Sequence, residues 1–105
     1  MIRNGRTVLL GDEFVRELEL TEKYVGRTSS RRGREFVSTV LDFLFENLAP
    51  LPFAHPAYAY PAAPQLQLRR AVFRKEYVII YEVTDEAVSF IFFHHTSRRP
   101  DLGFL

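Results

Sequence analysis

The spacing of apolar residues along the chain predicts one strand, then two helices, then three strands. Residues 7–10 form a short apolar run that is typical of a first strand. The following segment carries apolar residues at near-helical spacing, namely Phe14, Val15, Leu18 and Val25. Asp12 is the predicted N-cap of this helix, and Gly26 is its predicted end.

A second helix is predicted over residues 36–48, after a polar turn in which Ser29 or Ser30 is the expected N-cap. Its apolar stripe consists of Phe36, Val37, Val40, Leu41, Leu44 and Leu48, and it is broadened by Phe43 and Phe45. A stripe this wide needs cover on more than one side. Part of it is expected to cover a sheet, and the remainder is available to a partner.

Five prolines exclude a regular helix or a central strand between residues 49 and 65, so a long loop is predicted there. Three strands follow, at residues 66–73, 77–83 and 88–94, with short turns between them. Consecutive strands with short connections pair antiparallel. The predicted fold class is α+β: an N-terminal strand and a two-helix hairpin packed on an antiparallel sheet that three C-terminal strands complete.

The length of 105 residues predicts one domain, residues 1–105. The chain has no cysteine, and no apolar run approaches the roughly 20 residues of a membrane helix. We therefore expect a cytoplasmic protein. The net charge is only +1, but the basic residues lie in residues 1–34 and 69–99 and none lies between them. These two basic regions are either solvated surface or a single patch that faces a polyanion.

The last predicted strand ends in the segment "HHTSRR", which combines histidine with arginine. RNA cleavage through its own 2′-hydroxyl needs a base, an acid and cations for the phosphate. His95 with Arg98 or Arg99, together with Arg70 or Arg74, supplies part of this set. Adjacent strand residues face opposite sides, so only one of His94 and His95 can join a given site.

A histidine at a strand end is more often an ordinary surface or capping residue, so this pattern alone is a weak sign of catalysis. Metal binding is not predicted, because the histidines have no carboxylate or cysteine partners at ligand spacing. No cofactor is predicted.

The chain resembles the RelE/ParE superfamily of bacterial toxins from type II toxin–antitoxin pairs. The resemblance is carried by "VLLGDEFVREL", "RRGREFVSTVLDFLFENLAPLP", "LRRAVFRKEYVIIYEV" and "VSFIFFHHTSRRP". It implies a growth inhibitor that a cognate antitoxin holds inactive as a hetero-oligomer. Antitoxins of this kind often lay an amphipathic helix on the toxin, and the residues expected to receive it are Phe36, Val40, Phe43 and Leu44.

The resemblance implies two different targets. RelE-like members cut messenger RNA on the ribosome, and ParE-like members poison DNA gyrase without a nuclease site. For the RelE-like activity, Arg70 or Arg74 matches the arginine of the middle strand, and His95 and Arg98 match residues of the last strand. The final "PDLGFL" lacks the Tyr or His that several nucleases carry there, and the net charge is modest. On these grounds the sequence favours a gyrase poison, with a ribonuclease or a non-toxic partner-binding relative as alternatives.

Overall fold

The computed structural model describes residues 2–3 and 5–97 of the chain. Two N-terminal strands come first: β1 is Ile2–Arg3 and β2 is Arg6–Leu10. Two helices follow: α1 is Asp12–Val25, and α2 is Ser30–Phe43 and continues as a π-helical turn over Leu44–Leu48. The C-terminal strands are β3 at Leu68–Phe73, β4 at Tyr77–Val83 and β5 at Ala87–His95. The predicted α+β class and the order of its elements are confirmed.

The five strands form one sheet in the order β1-β2-β5-β4-β3. The three C-terminal strands pair antiparallel, as the short turns predict. The N-terminal strand β2, however, pairs parallel with β5, with Thr7 opposite Ala87 and Leu10 opposite Phe90. The sheet is therefore mixed, and the prediction of a wholly antiparallel sheet is wrong on this point. The reason is that the helical hairpin returns the chain to the end of the sheet at which β2 began. The strand β3 starts there, and after two antiparallel turns β5 runs in the same direction as β2.

Two features fix the helical hairpin. Helix α1 begins after Gly11, which has no side chain to cap it. Asp12 was predicted to be the N-cap, but it lies in the first turn of the helix instead. Helix α2 begins after Ser29, whose Oγ accepts a hydrogen bond from the backbone N–H of Arg32. Where the helices meet, a Cβ on Gly33 would lie only 2.7 Å from the carbonyl oxygen of Glu22, so only glycine fits this crossing.

The core between the helices and the sheet is built from aromatic rings. The ring of Phe14 lies 5.9 Å from that of Phe90 and 5.6 Å from that of Phe93, and Phe36 packs 5.1 Å from Tyr77. Tilted and edge-on pairs of this kind contribute about 0.5–1.5 kcal/mol each beyond the area they bury.

The apolar stripe of α2 fills this core. Phe36 is 7% exposed, and Val40 and Leu44 are fully buried. Phe43 is partly buried, and its ring packs 5.2 Å from that of Phe73. A partner therefore cannot reach Phe36, Val40 or Leu44 on the folded chain. The prediction that these residues form an antitoxin surface is corrected, because the chain's own sheet covers them.

The proline-rich loop packs on the edge and on the far face of the sheet. The carbonyl of Pro56 accepts a hydrogen bond from the N–H of Arg70, and the N–H of Tyr58 donates to the carbonyl of Leu68. The loop thus covers the outer edge of β3, which would otherwise offer unpaired backbone groups. On the face opposite the helices, apolar residues form a second cluster with the loop: Tyr58, Tyr60, Leu66, Leu68, Val78, Ile80, Ile91 and Phe92.

Candidate functional site: a basic rim around His95

The two histidines of β5 face opposite sides of the sheet, as the pleat predicts. His95 lies opposite Tyr77, which belongs to the core under the helices. His94 lies opposite Val78, which belongs to the cluster under the loop. His94 is only 6% exposed, whereas the side chain of His95 is 44% exposed. His95 is therefore the histidine of this pair that solvent and a substrate can reach.

The imidazole of His95 is held in one orientation by its neighbours. Its Nδ1 accepts a hydrogen bond from the backbone N–H of Ser97 at 3.1 Å and lies 2.9 Å from the Oγ of Ser97. A ring nitrogen that accepts carries no proton, so in the neutral ring the proton resides on Nε2. Nε2 lies 3.9 Å from the carboxylate of Glu76.

Tyr77 forms the floor beneath His95. The rings of Tyr77 and His95 meet edge-on, with their centroids 5.4 Å apart. The ring of Tyr77 also stacks on that of Phe93, with a centroid distance of 5.2 Å. Burial raises the pKa of the Tyr77 phenol, and the carboxylate of Glu76 adds to this in the same direction. The phenol therefore keeps its proton at neutral pH and is a neutral hydrogen-bond group at the floor of the site.

The turn between β3 and β4 holds two basic residues in an unusual backbone conformation. Arg74 has φ = 55° and Lys75 has φ = 64°, in the left-handed region that glycine and asparagine adopt most readily. For other residues this conformation costs about 1–2 kcal/mol each. Strain of this kind is concentrated at functional sites. The turn lies directly beside the end of β5, because the N–H of Thr96 donates to the carbonyl of Glu76 at 2.7 Å.

A second basic segment reaches the same end of the molecule. Arg32 and Arg74 line one depression, together with the carboxylate of Glu35 and with Val25, Phe36 and Thr39. The connection of the helices and the first turns of α2 carry exposed arginines at positions 27, 31, 32 and 34. The two basic regions of the sequence therefore meet in space. We call Arg32, Arg74, Lys75 and His95 the basic rim.

Arg70 does not belong to the basic rim. It lies opposite Ile80 on β4, and Ile80 lies opposite Phe92 on β5. These residues face the loop side of the sheet, whereas His95 faces the helix side. The prediction that Arg70 and His95 share one face is therefore corrected, and of the two candidate arginines of the middle strands only Arg74 is beside the histidine.

Arg98 and Arg99, the other predicted members of the site, lie outside the described residues. Within residues 2–3 and 5–97, no group of three or more His, Cys, Asp or Glu side chains is placed to hold a metal ion. No helix in this part of the chain has the length and the apolar composition that crossing a bilayer requires.

Sequence reasoning did not identify Glu76, Ser97 and Tyr77 as neighbours of His95. The signal that identifies them is the register of the β4–β5 hairpin, which places Tyr77 opposite His95 and brings Glu76, the residue before it, to the same rim. This register depends on a β-bulge between the pairs at Ile80 and Tyr81, where β5 has one extra residue.

No protein-family model matches the chain, and no curated protein matches it. Solved structures do match. The toxin–antitoxin complex RelBE2 from Mycobacterium tuberculosis shares 18% identity over 90% of this chain and 94% of that chain, with a TM-score of 0.62. The toxin–antitoxin complex DinJ–YafQ from E. coli shares 17% identity over 89% and 94%, with a TM-score of 0.55. YafQ alone shares 18% identity over 88% and 94%, with a TM-score of 0.54. The chain therefore shares its fold with these structures, and this is the fold that the sequence resemblance implied.

Proposed function

We propose that the chain is the growth-inhibiting toxin of a type II toxin–antitoxin pair, and that it acts as a RelE-like endoribonuclease on messenger RNA. The fold supports the first part, since two of the matching structures are toxin–antitoxin complexes. The basic rim supports the second part. A messenger RNA target implies that the toxin works in the cytoplasm.

The observation that carries the ribonuclease proposal is the setting of His95. Histidine can take a proton from a 2′-hydroxyl or return one to a leaving oxygen. In His95 the nitrogen that takes this proton is Nδ1, which then gives up its hydrogen bond from the Ser97 N–H. Glu76 and Ser97 orient its ring. Arg74, fixed in a strained turn on the same rim, offers a guanidinium to the phosphate, where negative charge increases during the reaction. The reaction needs no metal ion in this scheme.

The gyrase poison favoured by the sequence draws no support from these structures, and the RelE-like alternative fits them better. The modest net charge counted against a ribonuclease, but the placement of the basic residues changes that argument. Exposed arginines of α2 and of the β3–β4 turn are gathered at one end of the molecule, where a phosphate chain could contact several of them, although Glu35 and Glu76 lie among them.

We also propose that a cognate antitoxin binds the chain as a hetero-oligomer. The antitoxin needs residues that are more exposed than Phe36, Val40 and Leu44 of the α2 stripe, which are buried. The exposed large apolar side chains of α1, Leu20 and Tyr24, lie one helical turn apart and are 50% and 63% exposed. An i, i+4 pair of this kind is a suitable anchor for an apolar partner segment.

The test is to express the chain alone in bacteria and to follow growth, the 5′ ends of transcripts and double-stranded DNA breaks. The proposal predicts growth arrest with cut transcripts. Arg74→Asn should relieve both, since asparagine keeps the left-handed turn but removes the charge. Arg70→Gln is the matched control on the opposite face and should remain toxic. DNA breaks with intact transcripts would establish a gyrase poison instead, and unimpaired growth would leave only partner binding.

A further inference from the structure

Phe53 is an exposed aromatic ring with two guanidinium groups over it. The ring is 57% exposed, although it lies in a loop whose neighbouring residue Pro52 is buried. The guanidinium carbon of Arg69 lies 5.0 Å from the ring centroid, and that of Arg6 lies 5.4 Å from it. We call Phe53, Arg6 and Arg69 the Phe53 cluster. It joins the first residue of β2, the edge strand β3 and the proline-rich loop.

Both arginines are held in place by backbone carbonyl groups. The Nε of Arg6 donates to the carbonyl of Thr84 at 2.8 Å, and Nη1 of Arg69 donates to the carbonyl of His55 at 2.6 Å. Among the residues that the structure describes, neither guanidinium forms an ion pair with a carboxylate. Since arginine carries five N–H donors, each group keeps donors for a ligand. The cluster therefore presents two positive charges that form no ion pair within residues 2–3 and 5–97.

Anchoring of the loop does not account for the exposure of Phe53. The loop is already held on the core side by the hydrogen bond from the Tyr81 hydroxyl to the carbonyl of Pro52, and at the edge by the pairing of residues 57 and 69. A ring that served only to anchor the loop would be expected to be buried, because burial is what makes an aromatic side chain stabilising. Most of the Phe53 side chain instead faces solvent.

We propose that the Phe53 cluster binds single-stranded RNA. Nucleobases stack on exposed aromatic rings and on guanidinium planes, and arginine binds the phosphates between them. An acidic peptide is the competing ligand, because arginine clusters also bind acidic motifs. The exposed ring of Phe53 favours RNA, since nucleobases stack on such a ring and a carboxylate does not.

The position of the cluster suits an RNA that also reaches the basic rim. Arg69 lies opposite Tyr81 on β4, and His95 lies opposite Tyr77 on the same strand. Four residues of a strand span about 13 Å. The helix face of β4 between the two places is buried in the core, so an RNA that reaches both must pass around this core. This inference rests on the proposed function in one respect, namely that RNA is the substrate of the basic rim.

The experiment measures binding in the His95→Gln background, so that the RNA stays intact. A fluorescent single-stranded RNA of about eight nucleotides, within the usual site size, is titrated at low salt and its anisotropy is followed. Phe53→Leu keeps an apolar side chain but removes the π surface. It should weaken binding roughly tenfold, since a stacked base contributes about 1–3 kcal/mol and 1.4 kcal/mol is a factor of ten. Phe53→Trp should bind at least as well as the parent.

Two further variants control this result. Leu51→Ala, which changes an exposed side chain two residues away, should leave the affinity unchanged. Arg6→Gln should lower the slope of log K against log salt by about 0.7, the value for one phosphate contact with a single strand. Circular dichroism of each variant shows whether the fold is retained.

Equal RNA affinity of Phe53→Leu and the parent would overturn the inference. The inference would also be overturned if the affinity for an acidic peptide fell in Phe53→Leu while the affinity for RNA did not. These outcomes are distinct from a failure of the proposed function. Binding that depends on Phe53 in a chain that cuts no transcripts would support this inference and refute the ribonuclease proposal. Transcript cleavage by the chain, together with an RNA affinity that is unchanged in Phe53→Leu, would support the ribonuclease proposal and refute this inference.

Discussion

Replacing Tyr81 by phenylalanine removes a buried hydrogen bond by which the sheet holds the proline-rich loop. The Tyr81 hydroxyl donates to the carbonyl of Pro52 at 2.8 Å, and both residues are buried. The substitution deletes the donor and keeps the ring, so the carbonyl is left without this partner. An unsatisfied buried acceptor costs about 1–3 kcal/mol. For a domain of this size each kcal/mol lowers Tm by about 4–8 °C.

Thermal unfolding followed by circular dichroism measures this directly, with Tyr24→Phe as the control. Tyr24 is 63% exposed, and its ring keeps its contact with Arg27 when the hydroxyl is removed. The control should therefore change Tm by less than about 2 °C. If Tyr81→Phe unfolds at the same temperature as Tyr24→Phe, the loop is not anchored through Pro52 and the reasoning fails.

The same residue predicts a pH dependence. Burial raises the pKa of Tyr81 to about 12, and nearby Arg69 acts weakly in the opposite direction. The folded chain thus holds this proton more tightly than the unfolded chain, in which the pKa is near 10. Its contribution to stability is complete below pH 10 and is lost as the pH rises towards 12. Tyr81→Phe should therefore lose less stability over this interval than the parent, and an equal loss would contradict the assignment.

Three further substitutions test the hairpin and the turn by denaturant unfolding. Gly33→Ala should destabilise the chain by about 1–3 kcal/mol, because its Cβ would lie 2.7 Å from the Glu22 carbonyl oxygen; unchanged stability would show that the helices separate freely. Ser29→Ala should lower the free energy of unfolding by about 1 kcal/mol, because the Arg32 N–H loses its cap. If it lowers stability no more than replacing an exposed serine outside a cap does, Ser29 is not a cap. Lys75→Gly should raise stability by up to about 1 kcal/mol by relieving the left-handed backbone, and destabilisation would show that the lysine side chain holds the turn.

Local patterns in the sequence predicted the elements well where side chains and backbone agree. The strand predicted at residues 77–83 has the observed bounds of β4, because its residues are almost all β-branched or aromatic. The helical hairpin was predicted from its apolar spacing, and Ser29 was among its predicted caps. The second helical segment ends at Leu48, as predicted, but the sequence did not predict that its last turn, Leu44–Leu48, is π-helical, with both end residues of that turn buried.

Long-range pairings were beyond the sequence. The parallel pairing of β2 with β5 depends on where the helical hairpin returns the chain, and no local pattern records that. The separation of Arg70 from His95 depends on the pleat of three strands and on the bulge opposite Tyr81. The α2 stripe was expected to be partly free because it is too wide to be covered on one side alone. The extent to which the folded core buries Phe36, Val40 and Leu44 depends on the packing of the whole sheet, which the spacing of apolar residues does not show.

The central claim is that His95 moves a proton during cleavage of messenger RNA. The most direct measurement maps transcript 5′ ends in cells that express the chain without an antitoxin, and compares the parent with His95→Gln and His94→Gln at matched protein levels. We predict new 5′ ends with the parent and their loss in His95→Gln, whose amide cannot change charge near neutral pH. Persistence of these ends in His95→Gln and their loss in His94→Gln would place the chemistry on the loop side of the sheet and contradict the account.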